Sequence, residues 1–148
     1  MNKNSVKQIL LFIAFGCPIL IYGIYEIFFG VDSRAKTYFQ NANLNFSGKV
    51  SHTKKISHGA GYICLDLDST TMKHYNPSDT LSKYFCIIDN NKAILVIDGV
   101  STFEIGDVFV IKNDSSFHYD KKKNILKWKS KLILVDWIDS PKSLDMCN

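Results

Sequence analysis

The sequence predicts a mainly β protein, with an N-terminal transmembrane helix followed by a small antiparallel β-barrel or β-sandwich. Three observations carry that expectation. Ile9 to Phe29 is apolar except for Glu26, and as a helix its 21 residues would cover about 30 Å, the thickness of a bilayer's hydrocarbon core. About seven or eight short alternating or apolar segments follow, separated by turn residues every 8–12 positions or so, the spacing of small antiparallel β folds. Aromatic residues make up 13% of the chain while glutamate occurs only at Glu26 and Glu104, a balance that favours strands over helices.

These observations divide the 148 residues into a cytoplasmic N-terminus and anchor over 1–30, a linker or helix extension over 31–43, a β domain over 44–139 and a flexible tail over 140–148. Lys3 and Lys7 precede the apolar run, whereas Arg34 and Lys36 follow it beside Asp32. The positive-inside tendency then places the N-terminus in the cytoplasm and the β domain outside, as a single-pass signal anchor of the cell envelope. A cleaved signal peptide is the competing reading, but its apolar core usually ends sooner, at small residues. Gly16-Cys17 does not suit a lipoprotein cleavage point, because Pro18-Ile-Leu-Ile-Tyr22 continues the apolar run. Gly16 and Gly23 offer a modest small-residue stripe for helix packing.

In the β domain, Leu44 to Thr53 alternates, with Phe46, Gly48 and Val50 on one side and Ser47, Lys49 and Ser51 on the other. A turn at Ile56–Gly61 returns the chain through Tyr62 to Asp68, so the pair reads as a hairpin. Asn76-Pro77-Ser78-Asp79 signals a turn or a helix start. Tyr84–Asp89 and Lys92–Asp98 flank Asn90-Asn91, a short-hairpin signal. Their unbroken apolar runs predict strands covered on both faces. Asp98-Gly99 turns the chain again, Val108–Lys112 is a strand, and a final pair is expected at Asn124–Lys129 and Leu132–Ile138, joined near Ser130.

The net charge of +4 is too small to imply nucleic acid. Lys121, Lys122 and Lys123, with Lys127, Lys129 and Lys131, form one basic cluster, read as a solvated face or a headgroup contact. Cys64 and Cys86 fall in predicted strands and are the candidate disulfide, closing a loop of about 20 residues worth roughly 3 kcal/mol. The alternative is two buried thiols. Cys17 lies in the apolar run and Cys147 in the tail, and no CxxC pair signals zinc or redox chemistry. His52 and His58 flank one turn and could converge, and Asp66 shares a strand face with Asp68. His74 and His118 read as ordinary surface or half-buried histidines. No catalytic, metal or cofactor residue is assigned, and no cofactor is implied.

Phe103-Glu-Ile-Gly-Asp-Val-Phe-Val-Ile-Lys112, with Gly48-Lys49-Val50 before it, resembles small membrane-anchored bacterial β-domain proteins over about 60 residues. The resemblance implies no activity. Physically, Gly106 permits a turn and Asp107 can cap it with its side chain. The Gly-Asp-Val-Phe-Val element is also similar to the core strand of type I signal peptidases. Their Ser-Met-x-Pro nucleophile motif has no counterpart here, so no Ser–Lys pair is carried over. The expected role is a non-enzymatic binding or assembly module, its partner an envelope protein or a surface polymer. A small hydrolase using His52, His58 and Asp66, or a Ser–Lys pair, is the alternative.

Overall fold

The computed structural model describes residues 16–25, 30–121 and 125–147. The chain divides into two compact units, Met1–Ser33 and Arg34–Asn148. In the first, residues 16–25 form a helix, α1. Among the described residues no helix is long and apolar enough to cross a membrane. The rest of the expected anchor, residues 9–15 and 26–29, lies outside the described residues. The single-pass anchor, and the membrane location and orientation inferred from it, are therefore not supported.

A second helix, α2 (Val31–Asn41), occupies the expected linker. Its Ala35 and Phe39 are buried, four residues apart on one face. Asn43, in the left-handed region at φ 48°, ends it, and its N–H donates to the Gln40 carbonyl at 2.9 Å.

Eight strands follow: β1 (Phe46–Ser57), β2 (Ala60–Thr70), β3 (His74–Tyr75), β4 (Cys86–Asp89), β5 (Lys92–Ile97), β6 (Val108–Lys112), β7 (Ser115–Tyr119) and β8 (Leu126–Lys131). They form one antiparallel sheet in the order β3-β4-β5-β2-β1-β6-β7-β8. The sheet is open. This corrects the expected barrel or sandwich, because no ladder among the described residues joins β8 to β3, and two-residue β3 is too short to template a closing strand.

The hairpins form where turn chemistry allows them. His58 and Gly59, at φ 47° and 88°, join β1 to β2, and Asn90 at φ 54° turns β4 into β5. Asn113 and Asp114, at φ 47° and 62°, make a two-residue turn into β7. That strand was not expected, and it displaces the anticipated final hairpin. Only β8 of that pair is a strand; residues 132–138 are not. At Gly48 the strands approach so closely that a Cβ would lie 2.5 Å from the Asp66 carbonyl oxygen, so only glycine fits the bulge there.

Both faces of the sheet are covered, as the unbroken apolar runs of β4 and β5 require. The inner face carries Val50, Ile63, Leu65, Ile88, Leu95, Phe109 and Ile111, all buried. Phe39 of α2 meets Phe85 and Tyr75 edge-on, at ring-centre distances of 5.4 and 6.3 Å. The outer face carries Ala60 and Val96 against Val135 and Ile138, and Cys64, Ile87 and Ile94 against Leu144 and Met146. The C-terminal segment is thus a strap over the sheet.

Backbone-directed bonds hold the strap. Tyr62 Oη donates to the Asp139 carbonyl at 2.6 Å, Lys83 Nζ to the Ile138 carbonyl at 2.6 Å, and Tyr84 Oη to the Pro141 carbonyl. Lys92 Nζ donates to the Cys147 carbonyl at 2.9 Å. A disulfide, Cys64–Cys147, with Cα atoms 5.5 Å apart, pins the end. The candidate pair Cys64–Cys86 is corrected: Cys86 is a buried free thiol. Strand β5 lies between β2 and β4, and Cys64 sits across from Ile94 while Cys86 sits across from Leu95. Adjacent positions on β5 face opposite ways, so the two sulfurs lie on opposite faces two strands apart.

Candidate functional site

The residues singled out from the sequence do not converge. His52 and His58 are both exposed and six positions apart in extended chain, about 20 Å. Asp66 is exposed on β2 opposite Lys49, and Lys112 closes β6 opposite Ser115. Among the described residues no three His, Cys, Asp or Glu side chains could share a metal ion.

A different polar cluster forms instead. The Glu104–Asp107 turn, with Gly106 at φ 91°, docks on β1 through Gly106 N–H to the Val50 carbonyl and Val50 N–H to the Asp107 carbonyl, at 2.7 and 2.8 Å. Asp107 is fully buried. Its Oδ2 accepts from His118 Nε2 at 2.7 Å, from Lys127 Nζ at 2.8 Å and from the Glu104 N–H at 3.0 Å. Its Oδ1 accepts from the Lys121 N–H at 3.3 Å. The turn-capping role expected of Asp107 is thus met by the Glu104 bond.

Lys127 reaches this carboxylate because of a bulge. His118 pairs with Trp128 and Tyr119 with Leu126, leaving Lys127 as the extra residue between the two pairs. The bulge turns a residue that strict alternation would send to the opposite face toward Asp107. His118 is fully buried, stacked on Phe103 at 4.2 Å between ring centres, with Trp128 edge-on at 5.9 Å.

The electrostatics follow from this packing. Burial opposes ionisation of Asp107, but the bonds from Lys127, the Glu104 N–H and His118 outweigh it and hold the carboxyl well below the usual range. Burial pushes His118 below its ordinary value against the pull of Asp107. A neutral imidazole donating from Nε2 leaves Nδ1 as an acceptor, and Nδ1 has no hydrogen-bond partner. The bond to Asp107 holds the Lys127 ammonium in its charged form. Asp107 and His118 lie buried in the cluster, while the Lys127 side chain is partly exposed. The nearby Ser116 hydroxyl bonds Ser130 Oγ at 3.1 Å. Sequence reading missed the cluster because His118 stands alone in the chain and the bulge has no local signature.

A concavity lies elsewhere. A cleft of about 500 Å³ is lined by Phe39, Phe85, Leu132 and Ile133, with Lys36, Gln40, Asp114 and Lys131 supplying polar groups. That size falls within the range of small-molecule sites. α2 supplies one wall, the β6–β7 turn a second and the chain after β8 a third. Gln40 Nε2 donates to Asp114 Oδ2 at 2.7 Å, bridging two of those walls. These residues come from four separate stretches, 36–40, 85, 113–115 and 131–133, so no single local motif announces the cleft. Compared with known proteins, the chain matches no family model, no curated protein and no solved structure.

Proposed function

We propose that the β domain is a non-enzymatic binding module whose ligand sits in the cleft between α2, the β6–β7 turn and the chain after β8. One contrast carries this reading. The titratable pair Asp107 and His118 is buried and bonded to itself at 2.7 Å, whereas the cleft is open and lined by both apolar and polar side chains. An enzyme needs perturbed groups facing substrate; a binding site needs shape, apolar area and a few orienting polar groups. The hydrolase alternative draws no support from the scattered His52, His58 and Asp66. Amide NMR shift mapping of the full chain against a small-fragment library tests the proposal. Perturbations should cluster at Phe39, Phe85, Leu132 and Ile133. Perturbations confined to other surfaces, or none, would refute it.

A further inference from the structure

The C-terminal strap covers the outer face of the sheet over β2, β4 and β5. That face continues across β1, β6, β7 and β8. In β6 the buried Phe109 and Ile111 point inward, so Val108, Val110 and Lys112 point outward. The register places Tyr119, Phe117 and Ser115 beside them on β7. Val108, Val110, Phe117 and Tyr119 thus form an apolar square, each of them half-buried.

Lysines frame this square. Lys49 lies across from Val108, Lys129 across from Phe117, and Lys112 and Lys131 flank Ser115. All four are exposed, and among the described residues none of them enters an ion pair. Asp66, across from Lys49, offsets one of the four charges. Lys129 Nζ stands 5.2 Å from the Phe117 ring centre, so a flat face of that ring is turned outward under a weakly held, displaceable ammonium. A groove of about 390 Å³ opens beside Val110 and Lys112, lined also by Asn45, Ser47, Ser69 and Thr70.

The small net charge of the chain does not imply nucleic acid, but this face gathers cations around two rings. Phe117 and Tyr119 are two residues apart on one strand, about 7 Å. Neighbouring nucleotides in one strand of a duplex are only about 3.4 Å apart, so the pair suits bases drawn apart in a single strand. An acidic peptide or a sulfated sugar would answer the lysines but bring no succession of flat rings. We infer that this face binds single-stranded nucleic acid, with bases on Phe117 and Tyr119 and phosphates at the surrounding lysines. Lysines meet phosphate as point charges, so these contacts position the strand without reading its sequence.

The test follows the fluorescence anisotropy of a labelled oligothymidylate, about ten nucleotides long, with the full chain at rising salt. Binding should weaken with salt at a logarithmic slope of about −2 to −3, from three or four phosphates at about −0.7 each. Lys112→Gln and Lys129→Gln, at exposed side chains, should each make that slope shallower by about 0.7. Tyr119→Leu should weaken binding about tenfold without changing the slope, while Tyr119→Phe, which keeps the ring, should bind like the wild type. The inference is overturned if the oligonucleotide does not bind at low salt, or if Tyr119→Leu binds as tightly as Tyr119→Phe. It is equally overturned if a duplex binds as tightly as the single strand. Competition by polyglutamate or dextran sulfate as strong as that by unlabelled oligonucleotide would assign the face to acidic polymers instead.

Discussion

At the scale of single residues, the informative group is His118. A lone histidine between Phe117 and Tyr119 looks like a surface residue, yet it is fully buried and bound to a carboxylate. Its depressed pKa, caused first by burial, means that near pH 6.5 and below the unfolded chain takes up a proton that the folded chain does not. Stability therefore falls as pH drops through about 6.5 toward the lower folded value. Asp107, held ionised by Lys127 and its other donors against its burial, contributes fully above about pH 4, and that contribution fades as the pH falls toward its own folded value. His118→Phe keeps a ring against Phe103 and Trp128 but cannot titrate. Urea midpoints of this variant should lose the slope just below about pH 6.5 and keep the steeper loss below about pH 4. An unchanged slope in the upper window would assign it to other groups.

At the scale of elements, the C-terminal strap departs most from its appearance in the sequence. Residues 140–147 are polar and were expected to fray, yet carbonyls of the strap accept from Tyr62, Lys83, Tyr84 and Lys92, and its end is bonded to Cys64. The bridge spans 83 residues, a loop for which the chain-entropy model gives up to about 4.5 kcal/mol. Cys147→Ser should lower the urea midpoint by a correspondingly large amount, with the outer-face residues Ile87 and Ile94 losing cover. Thiol titration of the unreduced, denatured wild-type chain should count two thiols, Cys17 and Cys86. A peptide linking Cys64 to Cys86 after digestion would overturn the pairing.

At the scale of the whole sheet, stability is unevenly spread. β1 and β2 lie at the centre and pair along most of their lengths, with strands on both outer sides. β3 has two residues and β8 has a neighbour on one side only. Native-state hydrogen exchange should show the slowest amides at Ile63–Leu65, each buried between neighbouring strands, and the fastest strand amides in β3 and β8. Uniform protection across the sheet would contradict this layering. Lys129 and Lys131 on β8 also guard its open edge against pairing with another chain.

The sequence by itself determined the mainly β class and two of the hairpins, β1–β2 and β4–β5: alternation at Phe46–Val50, left-handed turn residues at His58-Gly59 and Asn90, and apolar runs in β4 and β5 covered on both faces. These are local because turn geometry and strand period depend on neighbours in the chain. It also suggested a membrane span over Ile9–Phe29 that the described helices do not support. Only the tertiary structure decided the open sheet, the Cys64–Cys147 bridge, the Asp107–His118–Lys127 cluster and the cleft. Each depends on which residues from distant strands share a face, and pairing order and bulges set that across the sheet. No stretch of chain carries that order within itself.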